Sequence, residues 1–220
     1  VDSAWISITD DIFFLNDKTS FIRTSESGGF NHVYAYDMQT GSKAAITNGK
    51  WEVTKVYGPD EAEGVIFFQA NKGKIEERQL FKVRLNGTGF KQITQKSGSH
   101  SAKFAPDFKH YLGYFSNIET PEQARLHQPD GKEIKLLVEN KIKKLKGYDL
   151  AYPEFITFTI GDTVDIHAMI TKPADFNPNK QYPLLVFLYG GPGSQVVQDT
   201  WIRRLAYHQL LAQKGYIVAY

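Results

Sequence analysis

The chain has 220 residues, 41% of them hydrophobic, which is enough to bury one domain or two small ones and argues against disorder. Its 26 basic and 24 acidic residues leave a formal net charge of +2, so no overall field draws nucleic acid, and the absence of cysteine excludes disulfides, thiolate metal sites and a cysteine nucleophile. No window approaches about 18 uninterrupted apolar residues, and the start Val1-Asp2-Ser3 has neither a basic nor an apolar leader pattern, so no membrane span is expected.

Aromatic residues make up 14% of the chain, and with the many Thr, Val and Ile they favour strands. The first clear strand pattern is Ser20-Phe21-Ile22-Arg23-Thr24, followed by Val33-Tyr34-Ala35-Tyr36, a Gln39-Thr40-Gly41 turn and Ile46-Thr47. The pattern then repeats. Gly64-Val65-Ile66-Phe67-Phe68 precedes Leu80-Phe81-Lys82-Val83, which lies 47 positions after Val33-Tyr34-Ala35-Tyr36; Asn86-Gly87-Thr88-Gly89 supplies the turn, and Ile93-Thr94 keeps the offset. A weaker third copy runs through His110-Tyr111-Leu112-Gly113-Tyr114-Phe115, Ala124-Arg125-Leu126-His127, a Pro129-Asp130-Gly131 turn and Ile134-Lys135-Leu136-Leu137. A unit of about 40 to 50 residues holding several short strands is the signature of a β-propeller blade, which buries its faces against neighbouring blades. Evenly spaced strands also suit a β-sandwich, the alternative fold.

The character changes near Glu139-Asn140, where Lys141-Ile142-Lys143-Lys144-Leu145-Lys146-Gly147 reads as a solvated basic linker. Beyond it, Phe155–Ile160 and Thr163–Ile170 form a predicted hairpin around Gly161-Asp162, ended by Pro173. The apolar run Pro183–Tyr189 predicts a strand buried on both faces of a largely parallel sheet. After a glycine-rich loop, Asp199 or Thr200 is the predicted N-cap of a helix with Ile202, Leu205, Ala206 and Leu210 on one face and Gly215 as its stop, and a further strand starts at Tyr216. Hairpin, buried strand, glycine loop, helix and strand is the order that opens an α/β-hydrolase domain. In that fold the loop after the third strand helps to build an oxyanion hole. Tyr189-Gly190-Gly191-Pro192-Gly193-Ser194-Gln195 occupies this position: its glycines admit a close backbone approach, Pro192 stiffens the loop, and a tyrosine hydroxyl can donate to an anionic oxygen.

Other residue types invite simpler readings. Ser194 lacks the flanking pattern of a nucleophile elbow and is read as a loop residue. His32, His100, His110, His127, His167 and His208 show no metal-ligand spacing, and His208 reads as a surface or packing residue. Asn86-Gly87-Thr88 fits a glycosylation acceptor, yet Asn-Gly is the ordinary hairpin turn. Trp51 and Trp201 are read as packing residues.

Tyr182-Pro183-Leu184-Leu185 followed by Tyr189–Gln195 resembles the dipeptidyl peptidase IV branch of the prolyl oligopeptidase family. Gly49-Lys50-Trp51-Glu52-Val53 is similar to a segment between late propeller blades of that branch. Ser25–Tyr34 resembles the blade before it, His100–Asp107 the start of the next, and Leu137-Val138-Glu139-Asn140 the close of the last. The resemblance implies β-propeller blades over 1–140 and the N-terminal part of an α/β-hydrolase domain over 141–220. It also implies a serine exopeptidase that releases N-terminal dipeptides with Pro or Ala second, from an eight-bladed propeller set over the hydrolase domain. Tyr189 then carries over as the oxyanion-hole tyrosine. No Gly-x-Ser-x-Gly occurs in this sequence, so the Ser, Asp and His of the triad are expected beyond Tyr220, and the glutamates that grip the substrate's amino group before Val1. On that expectation the 220 residues alone are inactive. The partner implied is a peptide with a free N-terminus, with no nucleic acid, no cofactor and no metal; homodimer formation and a periplasmic or extracellular location are implied in the same way. The rival reading is a non-catalytic propeller and hydrolase-like scaffold that binds peptides or proteins.

Overall fold

The computed structural model describes residues 11–161, 163–191 and 193–220, so Val1-Asp2-Ser3, Asp162 of the predicted hairpin turn and Pro192 of the glycine loop lie outside the described residues. Three consecutive four-stranded antiparallel sheets come first. β1 (Ile12–Phe14), β2 (Ser20–Ser25), β3 (His32–Asp37) and β4 (Lys43–Ala45) make the first, and β5 (Val53–Asp60), β6 (Val65–Ala70), β7 (Gln79–Arg84) and β8 (Lys91–Gln92) the second. The third is β9 (Ser99–Phe104), β10 (Tyr111–Ser116), β11 (Gln123–His127) and β12 (Glu133–Val138). In each, sequence order is spatial order, the meander of a propeller blade.

The 47-residue repeat has a hydrogen-bonding cause. Ile46 N–H donates to the Val33 carbonyl at 2.8 Å, and Ile93 N–H to the Leu80 carbonyl at 2.8 Å. Val33 N–H donates to Thr47 Oγ1 at 2.9 Å, and Leu80 N–H to Thr94 Oγ1 at 2.9 Å. In both blades, therefore, an Ile-Thr pair closes the edge of the third strand: the isoleucine is buried, and the threonine hydroxyl satisfies a backbone donor that the short fourth strand leaves open. The turns behave as read. Asp37 Oδ1 accepts from Gln39 N–H and Thr40 N–H, while Asn86 Oδ1 accepts from Thr88 N–H at 3.1 Å and from its hydroxyl at 2.8 Å.

Side-chain alternation explains why Ile66, Phe67 and Phe68 are apolar without a break. Ile66, Phe68, Ala70, Phe81 and Val83 face the first blade and pack with Ile22, Val33 and Trp51, whereas Phe67 and Leu80 face the third blade and pack with Ala102 and Tyr111. The middle blade is thus buried on both faces. Trp51 fills the first seam, 9% exposed, edge-on to His32 with centroids 4.6 Å apart and stacked on Phe68.

The basic linker is exposed and contains a single 3₁₀ turn, Lys143–Leu145. A fourth sheet follows, built from β13 (Glu154–Ile160), β14 (Val164–Thr171), β15 (Leu184–Val186) and β16 (Ile217–Ala219) in the order β13-β14-β16-β15. The predicted hairpin is β13 and β14; β15 and β16 pair in parallel and are joined through the glycine loop and helix α1 (Leu205–Gln213). Two features differ from expectation. β15 is an edge strand, so Leu184 is 58% and Val186 46% exposed where burial on both faces was predicted. α1 begins at Leu205 with no side-chain cap, and its buried residues are Leu205, His208, Gln209 and Ala212, while Ala206 and Leu210 are exposed. The helix turns this way because Gln209 exchanges two hydrogen bonds with the backbone of Ala151, each 2.7 Å, and because His208 Nε2 meets the Tyr220 hydroxyl at 2.7 Å. His208 is a packing residue, 1% exposed.

Candidate functional site: the glycine loop docked on the blades

The loop leaves the carboxyl end of β15, the end at which open α/β sheets carry their ligand sites. Phe187 N–H still donates to the Ala219 carbonyl at 2.9 Å, after which the chain leaves the sheet. Tyr189 is 60% exposed, and its ring lies back over Gly191. A Cβ at Gly191 would come within 2.9 Å of Tyr189 Cε1 and 3.0 Å of its hydroxyl oxygen, so any larger residue there displaces the tyrosine.

From Gln195 onward the loop is held by the blades. Gln195 Oε1 accepts from Arg78 Nη2 at 2.5 Å, and Gln195 Nε2 donates to the carbonyls of Ile75 (2.9 Å) and Val197 (2.8 Å). Asp199 N–H donates to the Glu76 carbonyl at 2.8 Å, and Asp199 Oδ1 accepts from Ile118 N–H at 2.9 Å. Thr200 Oγ1 and Ser116 Oγ are 2.8 Å apart. Beside them, Glu76 Oε1 pairs with His167 Nδ1 of β14 at 2.8 Å. Burial raises the Asp199 carboxyl above its ordinary value, although the Ile118 amide favours the ionised form. Asp199 and Thr200, read from sequence as helix caps, are therefore docking residues.

Arg78 is the pivot of this contact. It immediately precedes β7, where its N–H donates to the Gly98 carbonyl and its own carbonyl accepts from His100 N–H at 2.7 Å, so its backbone ties the second blade to the third. Its guanidinium is divided: Nη1 donates to the carbonyls of Ile75 (2.9 Å) and Glu77 (2.8 Å), and Nη2 reaches Gln195. Burial lowers its pKa, and Glu52 nearby favours the charged form. On one side of this contact opens a polar cleft of about 660 Å³, lined by Glu26, Asn31 and Glu52 of the blades and by Gly193, Ser194 and Gln195 of the loop. Ser194 lies on this rim as a loop residue. Gln195 belongs to the loop motif, but nothing in the sequence points to Arg78, because the two are 117 positions apart and no local pattern links them.

Comparison with known proteins agrees with this architecture. The sequence profile of the dipeptidyl peptidase IV (DPP IV) N-terminal region matches residues 1–122. A dipeptidyl peptidase 4 of Arthroderma otae is 29% identical over 192 residues, covering 85% of this chain and 25% of that relative, and one of Trichophyton tonsurans is 27% identical over 194 residues with the same coverage. Among solved structures, Porphyromonas gingivalis dipeptidyl peptidase 4 superposes with a TM-score of 0.85 at 32% identity, covering 94% of this chain and 29% of that one. The three blades thus match the propeller-like N-terminal region of these relatives. The chain belongs to the dipeptidyl peptidase IV family and spans about a quarter of the length of the curated relatives it matches.

Proposed function

We propose that residues 1–140 are late blades of the propeller and 141–220 the opening of an α/β-hydrolase domain, and that the complete protein is a serine exopeptidase releasing Xaa-Pro or Xaa-Ala dipeptides from peptides with a free N-terminus. The hairpin followed by a parallel strand–helix–strand unit supports the hydrolase reading. The single observation that carries the functional reading is the exposed Tyr189 on a glycine loop at the carboxyl end of β15. In acyl transfer, a serine supplied outside this sequence attacks the carbonyl carbon of the residue next to the scissile bond. A histidine takes the serine proton and passes it to the leaving amine, and the Tyr189 hydroxyl donates a hydrogen bond to the oxygen that becomes negative in the tetrahedral intermediate. Water then repeats the sequence on the acyl-enzyme. The 220 residues themselves provide the oxyanion donor and not the nucleophile, so they are inactive alone.

The experiment is hydrolysis of a Gly-Pro chromogenic anilide by the full-length protein, its Tyr189→Phe variant and the 220-residue chain. Release by the full-length protein, a loss of about 10²- to 10³-fold in kcat for Tyr189→Phe and no release by the short chain are expected. A full-length protein that neither cleaves dipeptide or tripeptide anilides nor reacts with a serine-directed phosphonate sinks the proposal in favour of a binding scaffold.

A further inference from the structure

The loop that carries Tyr189 is anchored at two ends of very different character. At its start it is continuous with β15, but Tyr189 itself is 60% exposed and residues 190 and 193–194 lie on the surface. At its end, every polar atom of the Gln195 side chain is engaged: the oxygen by Arg78, the nitrogen by the carbonyls of Ile75 and Val197. Gln198 Nε2 adds a bond to the Gln195 carbonyl at 2.7 Å, stiffening the same turn. Resting on the reading of Tyr189 as oxyanion donor, we infer that Arg78 and Gln195 are positioning residues, through which the second blade sets the placement of the Tyr189 hydroxyl.

The chemistry of the pair is specific. Arg78 needs two separate nitrogens, one held by the Ile75 and Glu77 carbonyls and the other aimed at Gln195, and only a planar guanidinium offers both in a fixed fork. A lysine keeps the charge and loses the fork. Gln195 must be an amide, because it accepts from a cation at one atom and donates to two carbonyls at the other; a carboxylate there would face the Ile75 and Val197 oxygens without a proton to give. Partly buried bonds of this kind hold a loop to a fraction of an ångström, and displacement of a catalytic group by about 1 Å can cost about 10²-fold in rate. The blades therefore act on the reaction through the loop that Arg78 and Gln195 fix.

The test uses the full-length protein and a double-mutant cycle. Arg78→Ala, Arg78→Lys, Gln195→Ala and Gln195→Glu are each measured on the Gly-Pro anilide, alone and combined with Tyr189→Phe. Each single variant is expected to lower kcat by about 10-fold or more, with KM within about 2-fold, and to have almost no further effect once Tyr189 is Phe. Unfolding midpoints accompany each variant; if Arg78→Ala fails to fold, the Gln195 variants, which leave the backbone bonds of Arg78 between the second and third blades in place, carry the same expectation. The outcomes separate the two ideas. If Tyr189→Phe leaves kcat unchanged, the oxyanion reading falls and the inference with it. If Tyr189→Phe slows the enzyme but the Arg78 and Gln195 variants turn over at the wild-type rate, or slow it by the same factor with and without the tyrosine hydroxyl, the positioning role alone is overturned. Wild-type kcat in Arg78→Lys also overturns it, since charge without the fork would then suffice.

Discussion

At the scale of single residues, the fold depends on a few close approaches that tolerate no added atom. Gly49 has a φ of +131°, and a Cβ there would lie 2.4 Å from Trp51 Nε1 and 2.8 Å from Cδ1. Its carbonyl also accepts from His32 Nε2–H at 2.9 Å, which leaves Nδ1 of that ring to receive the Thr47 hydroxyl. The Gly-Lys-Trp-Glu-Val segment is thus one device: the glycine makes room for the indole, and the indole fills the seam between the first two blades. Gly49→Ala combines backbone strain of about 1–3 kcal/mol with displacement of Trp51, so a loss of at least about 2 kcal/mol is expected. Urea unfolding followed by tryptophan fluorescence checks this, and a variant with the parental midpoint and emission maximum would show that the indole has room to move. The residue pattern made Trp51 legible as a packing side chain. It left the Arg78–Gln195 contact illegible, since neither residue carries a local signature and their partnership exists only once the fourth sheet lies against the blades.

At the scale of elements, the blades are held by two apolar seams, and the middle blade contributes to both. Phe68 is fully buried and stacks on Phe81 with centroids 5.7 Å apart and on Trp51 at 6.3 Å. Phe68→Ala is expected to cost about 3–5 kcal/mol, whereas Ile134→Ala on β12, where Ile134 is 45% exposed, should stay within about 0.5 kcal/mol. Chemical denaturation of both variants decides the matter; equal losses would mean that β12 is covered in solution. The elements themselves were largely readable, because the spacing of turns and the Ile-Thr closures repeat at a fixed interval. The start of α1 was not. Asp199 and Thr200 have the side chains of helix caps, but the blades offer them Ile118 N–H and the Ser116 hydroxyl, and these tertiary partners outcompete a local cap. The exposure of β15 likewise depends on sheet order, which hydrophobicity along one strand does not encode.

At the scale of the whole molecule, each blade is stabilised by its neighbour, so stability should respond to what is titrated in the seams. His100 is such a group, on β9 where the third blade meets the second. Its Nε2 lies 2.7 Å from the Lys96 carbonyl and its ring 4.8 Å from that of Phe115, with the Lys96 ammonium over Phe115 and Glu77 and His127 as the other charged or titratable neighbours. Burial pushes its pKa down to about 4, from 6.5. The unfolded chain therefore takes up a proton at His100 before the folded one does. The contribution of His100 to stability is fully present above pH 6.5 and is lost as the pH falls towards 4. Burial lowers the pKa of His208 as well, with Arg204 acting in the same sense, so the two histidines add. Between pH 7 and pH 5, above the range where most carboxylates titrate, His100 accounts for at most about 2 kcal/mol of the loss, less whatever solvent screens. Unfolding free energies at the two pH values should differ by about that amount for the parent and by clearly less for His100→Gln, which keeps an amide to face the Lys96 carbonyl without a proton to gain. An unchanged difference in His100→Gln would place the acid sensitivity elsewhere and would mean that water reaches the seam between the second and third blades.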